Sequence, residues 1–228
     1  MNTSGIVTSV EVQKKQKHRY NIYIDEQFAF AVHEDVLMKH QLFKGKHVDP
    51  QLMAEVLRDD ERQQAYLKTI RWLGGRGRTE KEIRLYLRRK EYEDAIIDEC
   101  IDRLKKERYV NDERLSKQLM EERLTLQGKG KIWVRQELLQ KGVAKSIIQE
   151  TLESVQPEDE EASASALARK RWRTLAKQEN RLAAQRKLYA YLARRGYSPS
   201  AVKKAVREVT QEELEIVEFG FDNVEADD

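Results

Sequence analysis

The sequence predicts a mainly α-helical protein: tandem three-helix repeats forming an elongated, curved array, preceded by a small β-meander/helix module. Three observations carry this reading. Leu85-Tyr86-Leu87-Arg88-Arg89-Lys90-Glu91-Tyr92 returns as Leu138-Leu139-Gln140-Lys141-Gly142-Val143, and again as Tyr191-Leu192-Ala193-Arg194-Arg195-Gly196-Tyr197. With Leu87, Leu138 and Leu192 superposed, Ile83 falls on Val134 and Leu188, Ile96-Ile97 on Ile147-Ile148 and Ala201-Val202, and Cys100-Ile101 on Thr151-Leu152 and Ala205-Val206. An apolar frame preserved at a period of about 50 residues marks supersecondary units too small to bury a core alone. Only 3 prolines and 10 glycines punctuate the 228 residues, which favours long helices over a turn-rich sheet. The hydrophobic period also changes, from alternation before residue 33 to helical spacing from about Ala65 onward.

Taken in order, residues 1–62 read as the N-terminal module. Ile6, Thr8, Val10 and Val12 alternate with polar neighbours, as do Tyr20, Ile22 and Ile24, and then Phe28, Phe30 and Val32, which predicts a three-stranded antiparallel meander. Two short helices are expected to cover its apolar face, Glu34 to Gln41 and one starting at Pro50 and reaching Leu57. Asp59-Asp60-Glu61 is read as a run at a helix end. Residues 63–110 form the first repeat: a stripe of Tyr66, Ile70 and Leu73 ended by Gly74-Gly75-Arg76-Gly77, a helix opened by the capping-box spacing of Thr79 and Glu82, and a third helix through Ile96 to Leu104. Residues 111–157 repeat the pattern after Asn111, with breaks at Gly128-Lys129-Gly130 and Gly142. Pro157 and Glu158-Asp159-Glu160-Glu161 separate it from the third repeat, 158–210, which holds Leu167, Trp172, Leu175, Leu182 and Leu188 and closes with a helix capped by Ser198-Pro199. Residues 211–228 are read as an acidic, mobile tail.

The formal net charge of +3 conceals an asymmetry: −1 over residues 1–62, +4 over 63–110, +1 over 111–157, +7 over 158–210 and −8 over 211–228. A basic repeat body points to an acidic partner, nucleic acid or protein. Basic side chains recur near the second helix of each repeat: Arg88, Arg89 and Lys90; Lys129, Lys131, Arg135 and Lys141; Arg194 and Arg195, with Lys203 and Lys204 close behind. Arg76 and Arg78 sit among the glycines that open the first. Together these are the candidate residues for binding nucleic acid or an acidic protein surface; the alternative is a solvated face that keeps the repeats soluble. Under the first reading the acidic tail competes with phosphates for the Arg194-Arg195 and Lys203-Lys204 region, and under the second it only solubilises. Trp72, Trp133 and Trp172, one per repeat, read as core fillers.

No enzyme is expected, since the chain has no phosphate-cradling glycine loop after a strand, no His-Glu-x-x-His and no Cys-x-x-Cys. No metal or other cofactor is expected either: His33, His40 and His47 lie seven apart but lack a supporting ligand set. The single cysteine, Cys100, falls on an apolar stripe and reads as a small buried hydrophobe. The start of the chain has no signal-peptide pattern, and no stretch approaches the roughly 18 apolar residues of a membrane helix, so a soluble, cytoplasmic, monomeric protein is expected.

Two segments resemble a known family. Glu107-Arg108-Tyr109-Val110-Asn111-Asp112-Glu113-Arg114-Leu115 is similar to the Gly-Tyr-Leu/Ile-Asp-Asp run of RecX family proteins. Gly128-Lys129-Gly130-Lys131-Ile132-Trp133-Val134-Arg135-Gln136-Glu137-Leu138-Leu139-Gln140-Lys141-Gly142-Val143 is similar to their Gly-x-x-x-Ile-x-x-x-Leu-x-x-Lys-Gly-Ile segment. Arg76 to Leu87 resembles the family's Arg-x-Arg-Ser-x-x-Glu-Leu segment, and the likeness covers about Ala65 to Thr210. The chain departs at Arg108, where glycine is usual, and at Asn111, where aspartate is. The resemblance implies a regulator of the RecA recombinase that binds in the groove of the RecA–DNA filament and acts in recombination, DNA repair and the SOS response, with weak and non-specific affinity for DNA. The alternative is a helix-turn-helix regulator contacting duplex DNA directly, which requires one dominant recognition helix. A scaffold between acidic proteins is a third possibility, and it predicts no dependence on DNA.

Overall fold

The structure is a computed structural model that describes residues 4–177 and 180–221, giving for 212–221 the helical backbone alone. It divides into two compact units, Met1–Arg78 with Glu82–Val110, and Thr79–Lys81 with Asn111–Asp228.

In the first unit the alternating segments form β1 (Gly5–Gln13), β2 (Gln16–Ile24) and β3 (Gln27–His33), an antiparallel meander that β4 (His47–Val48) extends along β1 in the order β3-β2-β1-β4. The facing of β1 differs from simple alternation. A register shift between Val7 and Ser9 turns Val7 inward and leaves Ile6 and Val12 about half exposed, because an extra residue in one strand reverses the side-chain parity beyond it. Val7, Ile22, Ile24, Phe30 and Val32 then pack with Val36 and Leu37 of α1 (Glu34–Lys39) and Val56 of α2 (Pro50–Leu73).

The helix α2 is one continuous element where the sequence pattern suggested two. Asp49 caps it by accepting the Leu52 amide at 2.8 Å, and no glycine or proline interrupts residues 51–73. Asp59 and Asp60 therefore lie in mid-helix, not at an end. Asp60, 4% exposed, accepts from Arg19 at 2.9 Å, from the His33 amide at 2.7 Å and from Gln64 at 2.7 Å. Asp59 accepts from Lys39 at 2.7 Å and Arg62 at 3.1 Å and bonds the His40 ring at 2.6 Å. The three histidines go separate ways: His33 accepts the Asp35 amide, His40 meets Asp59 and His47 meets Ser4. The helices α3 (Glu80–Arg88) and α4 (Asp94–Lys106) complete the first three-helix group around Ala65, Ile83, Leu87, Ile97, Cys100 and Leu104.

The second unit holds α5 (Asp112–Thr125), α6 (Lys131–Gln140), α7 (Lys145–Glu153), α8 (Pro157–Leu175), α9 (Arg181–Arg194) and α10 (Pro199–Phe221) around a single core. Asn111 caps α5 through the Arg114 amide at 2.7 Å, and Asn180 caps α9 through the Ala183 amide at 3.0 Å. The acidic run Glu158 to Glu161 is not a spacer; it forms the first turn of α8, and Glu160 is 3% exposed. Leu182 points outward, 66% exposed, and the inward places on α9 belong to Ala184, Leu188 and Leu192. Helix α10 continues past Thr210 to Phe221; the residues of the acidic segment beyond Phe221 lie outside the described residues.

The superposed leucines share one environment. Leu87, Leu138 and Leu192 are each fully buried, and each accepts the amide of an apolar residue five positions on: Tyr92 at 3.3 Å, Val143 at 3.1 Å and Tyr197 at 3.4 Å. Between them stands a left-handed residue, Glu91 (φ 63°), Gly142 (φ 77°) or Gly196 (φ 80°), whose own amide bonds back to Arg88, Leu139 or Ala193. This is a Schellman turn, made three times. Arg108 (φ 61°) makes a fourth after α4, with the Tyr109 amide on the Leu104 carbonyl at 2.9 Å.

Truncating Leu87, Leu138 or Leu192 to Ala should each cost about 2–5 kcal/mol in urea unfolding, the range of fully buried leucines. Asp59 generates a pH dependence. Burial pushes its carboxyl up, but hydrogen bonds from Lys39, His40 and Arg62 outweigh it and hold the group at about 2. A folded-state value below the unfolded one, near 3.9, contributes stability above that pH and loses it as the pH falls toward 2. The stability difference between the native chain and Asp59→Asn should be constant above about pH 5 and shrink through that window. A difference that does not change with pH would contradict the assignment.

Candidate nucleic-acid interface

The predicted basic residues fall into two sets, one in each unit. In the first, Arg76 is exposed, and Arg78 is half-buried over the Trp72 ring, its guanidinium 4.6 Å from the centroid. Trp72 in turn stacks on Tyr86, 4.3 Å apart and nearly parallel at 6°. Arg88 is exposed and pairs with Asp94 at 2.9 Å, while Arg89 and Lys90 extend into solvent. Trp72 and Trp133 are partly buried, packing against the edge of their cores while each offers its ring to a cation, and Trp172, 5% exposed, lies within the core.

The second unit brings several candidates together. The starting point is Gly130, whose absent side chain lets the N-terminus of α6 lie directly on the turn between α9 and α10: a Cβ there would fall 2.3 Å from the Gly196 carbonyl oxygen and 2.4 Å from the Tyr197 backbone. The Gly130 and Ile132 amides donate to the Arg195 and Gly196 carbonyls at 3.0 and 2.9 Å. The buried Glu160 carboxylate closes the junction by accepting both the Lys131 amide, at 3.0 Å, and the Ser198 amide, at 3.2 Å. One carboxylate thereby serves the N-termini of α6 and α10, where amides are free and the helix dipole favours negative charge.

That junction sets Lys129 beside Arg195. The Lys129 ammonium lies 4.3 Å from the Trp133 ring centre, and Arg195 lies 5.3 Å from that of Tyr191 while donating to the Gln127 carbonyl at 3.0 Å. Arg171 approaches the same Tyr191 ring at 5.5 Å. Burial, then the neighbouring charges of Arg195 and Arg123, lower the pKa of Lys129; the Glu137 carboxylate opposes them less strongly. Glu137 is already engaged by Arg123, two nitrogens on two oxygens at 2.8 Å each, with Arg123 only 7% exposed. Like charges converging on exposed aromatic edges are the arrangement that takes phosphates and bases.

The other candidates do not join this cluster. Lys131 is tied into the fold, its ammonium on the Val155 carbonyl at 2.6 Å. Lys141 is half-buried, and its carbonyl accepts the Thr79 hydroxyl at 2.7 Å. Lys204 pairs with Glu161. Arg135, Arg194 and Lys203 are exposed. Arg171 lies apart from the recurring basic side chains near the second helix of each repeat, because it stands on the first, within Arg169-Lys170-Arg171. A basic triplet on a helix was the signal available for it.

The chain is similar to one family along its length. Residues 5–49 match the regulatory protein RecX N-terminal domain, and residues 65–104, 111–152 and 158–206 match the first, second and third three-helix domains of RecX. Regulatory protein RecX of Bacillus cytotoxicus is 36% identical over 212 residues, covering 91% of this chain and 78% of that protein. That of Clostridium acetobutylicum is 35% identical over 209 residues, 90% of this chain and 97% of its own. A crystal structure of regulatory protein RecX superposes with a TM-score of 0.73 at 28% identity, over 89% of this chain and 98% of the other. RecX from Lactobacillus salivarius, at 20% identity, TM-score 0.63 and 67% coverage of this chain, shares the fold.

Glu160 provides the test of how this interface is held. Glu160→Ala should cost about 2–3 kcal/mol by stranding two buried amides, and Glu160→Gln, which keeps an acceptor, about half that. Chemical denaturation of both variants checks the ranking; equal losses would mean that burial and not acceptance matters there.

Proposed function

The chain belongs to the RecX family of regulatory proteins, and we propose that it binds the RecA–DNA nucleoprotein filament and modulates the recombinase, and with it recombination, DNA repair and the SOS response. The observation that carries the reading is the convergence of Lys129, Arg171 and Arg195 on the Trp133 and Tyr191 rings, a cationic surface with aromatic edges built in. Its cations contact phosphates along the DNA of the filament. Arg78 over Trp72 and the exposed Arg76, Arg89 and Lys90 supply a second basic surface on the other unit. The protein acts by occupying the filament and changing its stability and strand exchange.

Co-sedimentation with single-stranded DNA alone, recombinase alone and the assembled filament tests the proposal: the filament should be preferred. Reversing Lys129 and Arg195 to Glu should weaken filament binding and lower the slope of log K against log salt by roughly 0.7 per lost contact on single strands, or 0.9 on duplex. Reversing Arg88, Arg89 and Lys90 together should act in the same direction, with helical content unchanged. An unchanged salt slope for both variants would overturn the assignment of these residues.

A further inference from the structure

Beside the cationic cluster, the second unit carries an open groove of about 1120 Å³ between α5 and α8. Its floor is apolar, formed by Met120, Leu124 and Leu167, and Leu126 stands at its lip 81% exposed. Met120 and Leu124 are the outer edge of the core, 2% and 6% exposed, Leu167 is half-buried, and a leucine as exposed as Leu126 beside them marks a surface for another polypeptide. On the opposite wall Ala162 and Ala166, one turn apart on α8, project almost nothing into the groove, so that a helix backbone can come close.

The rim carries Lys117, Lys170, Arg171 and Arg195 against two carboxylates, Glu121 and Asp159. Elsewhere in this unit Arg123 pairs with Glu137 and Lys204 with Glu161. Among the described residues no ion pair engages the four on the rim. Unpaired cations around an apolar floor complement a ligand that carries both carboxylates and apolar side chains.

We propose that this groove docks an acidic amphipathic helix of a partner protein. The wall from Asp159 to Thr174 is about 22 Å long at 1.5 Å per residue, room for about four helical turns. An apolar stripe at i, i+3, i+4 and i+7 lies on Met120, Leu124 and Leu167, and flanking carboxylates meet Lys117, Lys170 and Arg171. A nucleic-acid strand suits the groove less well, because Glu121 and Asp159 repel phosphates along it. The inference rests on the reading of the chain as a regulator with a protein partner, and it assigns that contact to a surface adjoining the phosphate-binding cluster, with which it shares Arg171 and Arg195.

The test uses the full chain and a fluorescein-labelled helix of about 16 residues made of Leu, Ala and Glu, its leucines on one stripe, with a counterpart in which Lys replaces every Glu. Anisotropy titrations should show saturable binding of the acidic peptide and at least ~tenfold weaker binding of the basic one. Ala166→Trp fills the groove from an exposed position, and Lys170→Glu/Arg171→Glu reverses its rim; each should weaken the acidic peptide by ~tenfold or more with thermal unfolding unchanged. Equal binding of the two peptides, or a neutral Ala166→Trp, overturns the proposal. Direct binding of oligothymidylate by the native chain, weakened by Ala166→Trp, with no binding of the acidic peptide, would make the groove a nucleic-acid site instead. Tighter peptide binding by a chain ending at residue 211 would make the C-terminal segment its occupant. Sedimentation with the filament runs in parallel, so failure of the native chain to bind the filament counts against the proposed function alone.

Discussion

In each three-helix group the second and third helices are joined by a turn in which a buried leucine carbonyl accepts the amide of an apolar residue beyond a left-handed position. With charged residues making up 36% of the chain, apolar side chains are too few to fix helix orientation by volume alone. The turn fixes it by hydrogen-bond geometry and then folds Tyr92, Val143 or Tyr197 back against the leucine that precedes it. Where glycine occupies the left-handed place, as at Gly142 and Gly196, the turn carries no strain and another element can approach. At Gly196 a Cβ would meet the Trp133 amide at 2.4 Å, and this closeness carries α6 and its basic residues up to the end of α9. Glu91 and Arg108 adopt the same conformation at the expense a side chain imposes there, about 1–2 kcal/mol each.

Buried charges do the rest of the joining, each through hydrogen bonds to more than one element. Asp60 ties β2 and the end of β3 to α2, Arg123 ties α5 to α6 through Glu137, and Glu160 ties the starts of α6 and α10 to α8. An ionised group taken out of water needs every lone pair or proton engaged, and such contacts tolerate few alternative geometries. They define where the helices stand more than they add to stability. The interface residues follow: Lys129 and Arg195 are neighbours because Glu160 and Gly130 bring their backbones together.

The basic side chains separate by whether a carboxylate stands beside them. Arg88 and Lys204 are paired and Lys131 is tied to a carbonyl, so their charge is spent within the protein. Among the described residues no ion pair engages Lys129, Arg171 or Arg195, which lie against rings, Arg195 also donating to a carbonyl, and their charge stays available to an anion. Repetition in the sequence selected Lys129 and Arg195 together with the spent residues, since position in a repeat says nothing of the neighbour across the fold.

The sequence by itself determined the helical repeats, the meander and the buried frame that the repeats share. Ile83, Val134 and Leu188, like the three leucines, are buried where the superposition puts them, because the helical period alone decides which face is apolar. It also determined the caps at Asn111 and Ser198, which are local hydrogen bonds. Tertiary structure decided what depends on contacts distant in the chain. Asp59 and Asp60 look like a helix end until Arg19, His33, Lys39 and His40 arrive to satisfy them and let α2 run through. Glu160 looks like part of a spacer until two helix N-termini close over it. The parity of β1 turns on the register shift between Val7 and Ser9, and Arg171 joins the candidate interface only because α8 sets it against Tyr191. Periodicity and capping are written within a few residues, whereas the partner of a buried charge is chosen by the folded backbone.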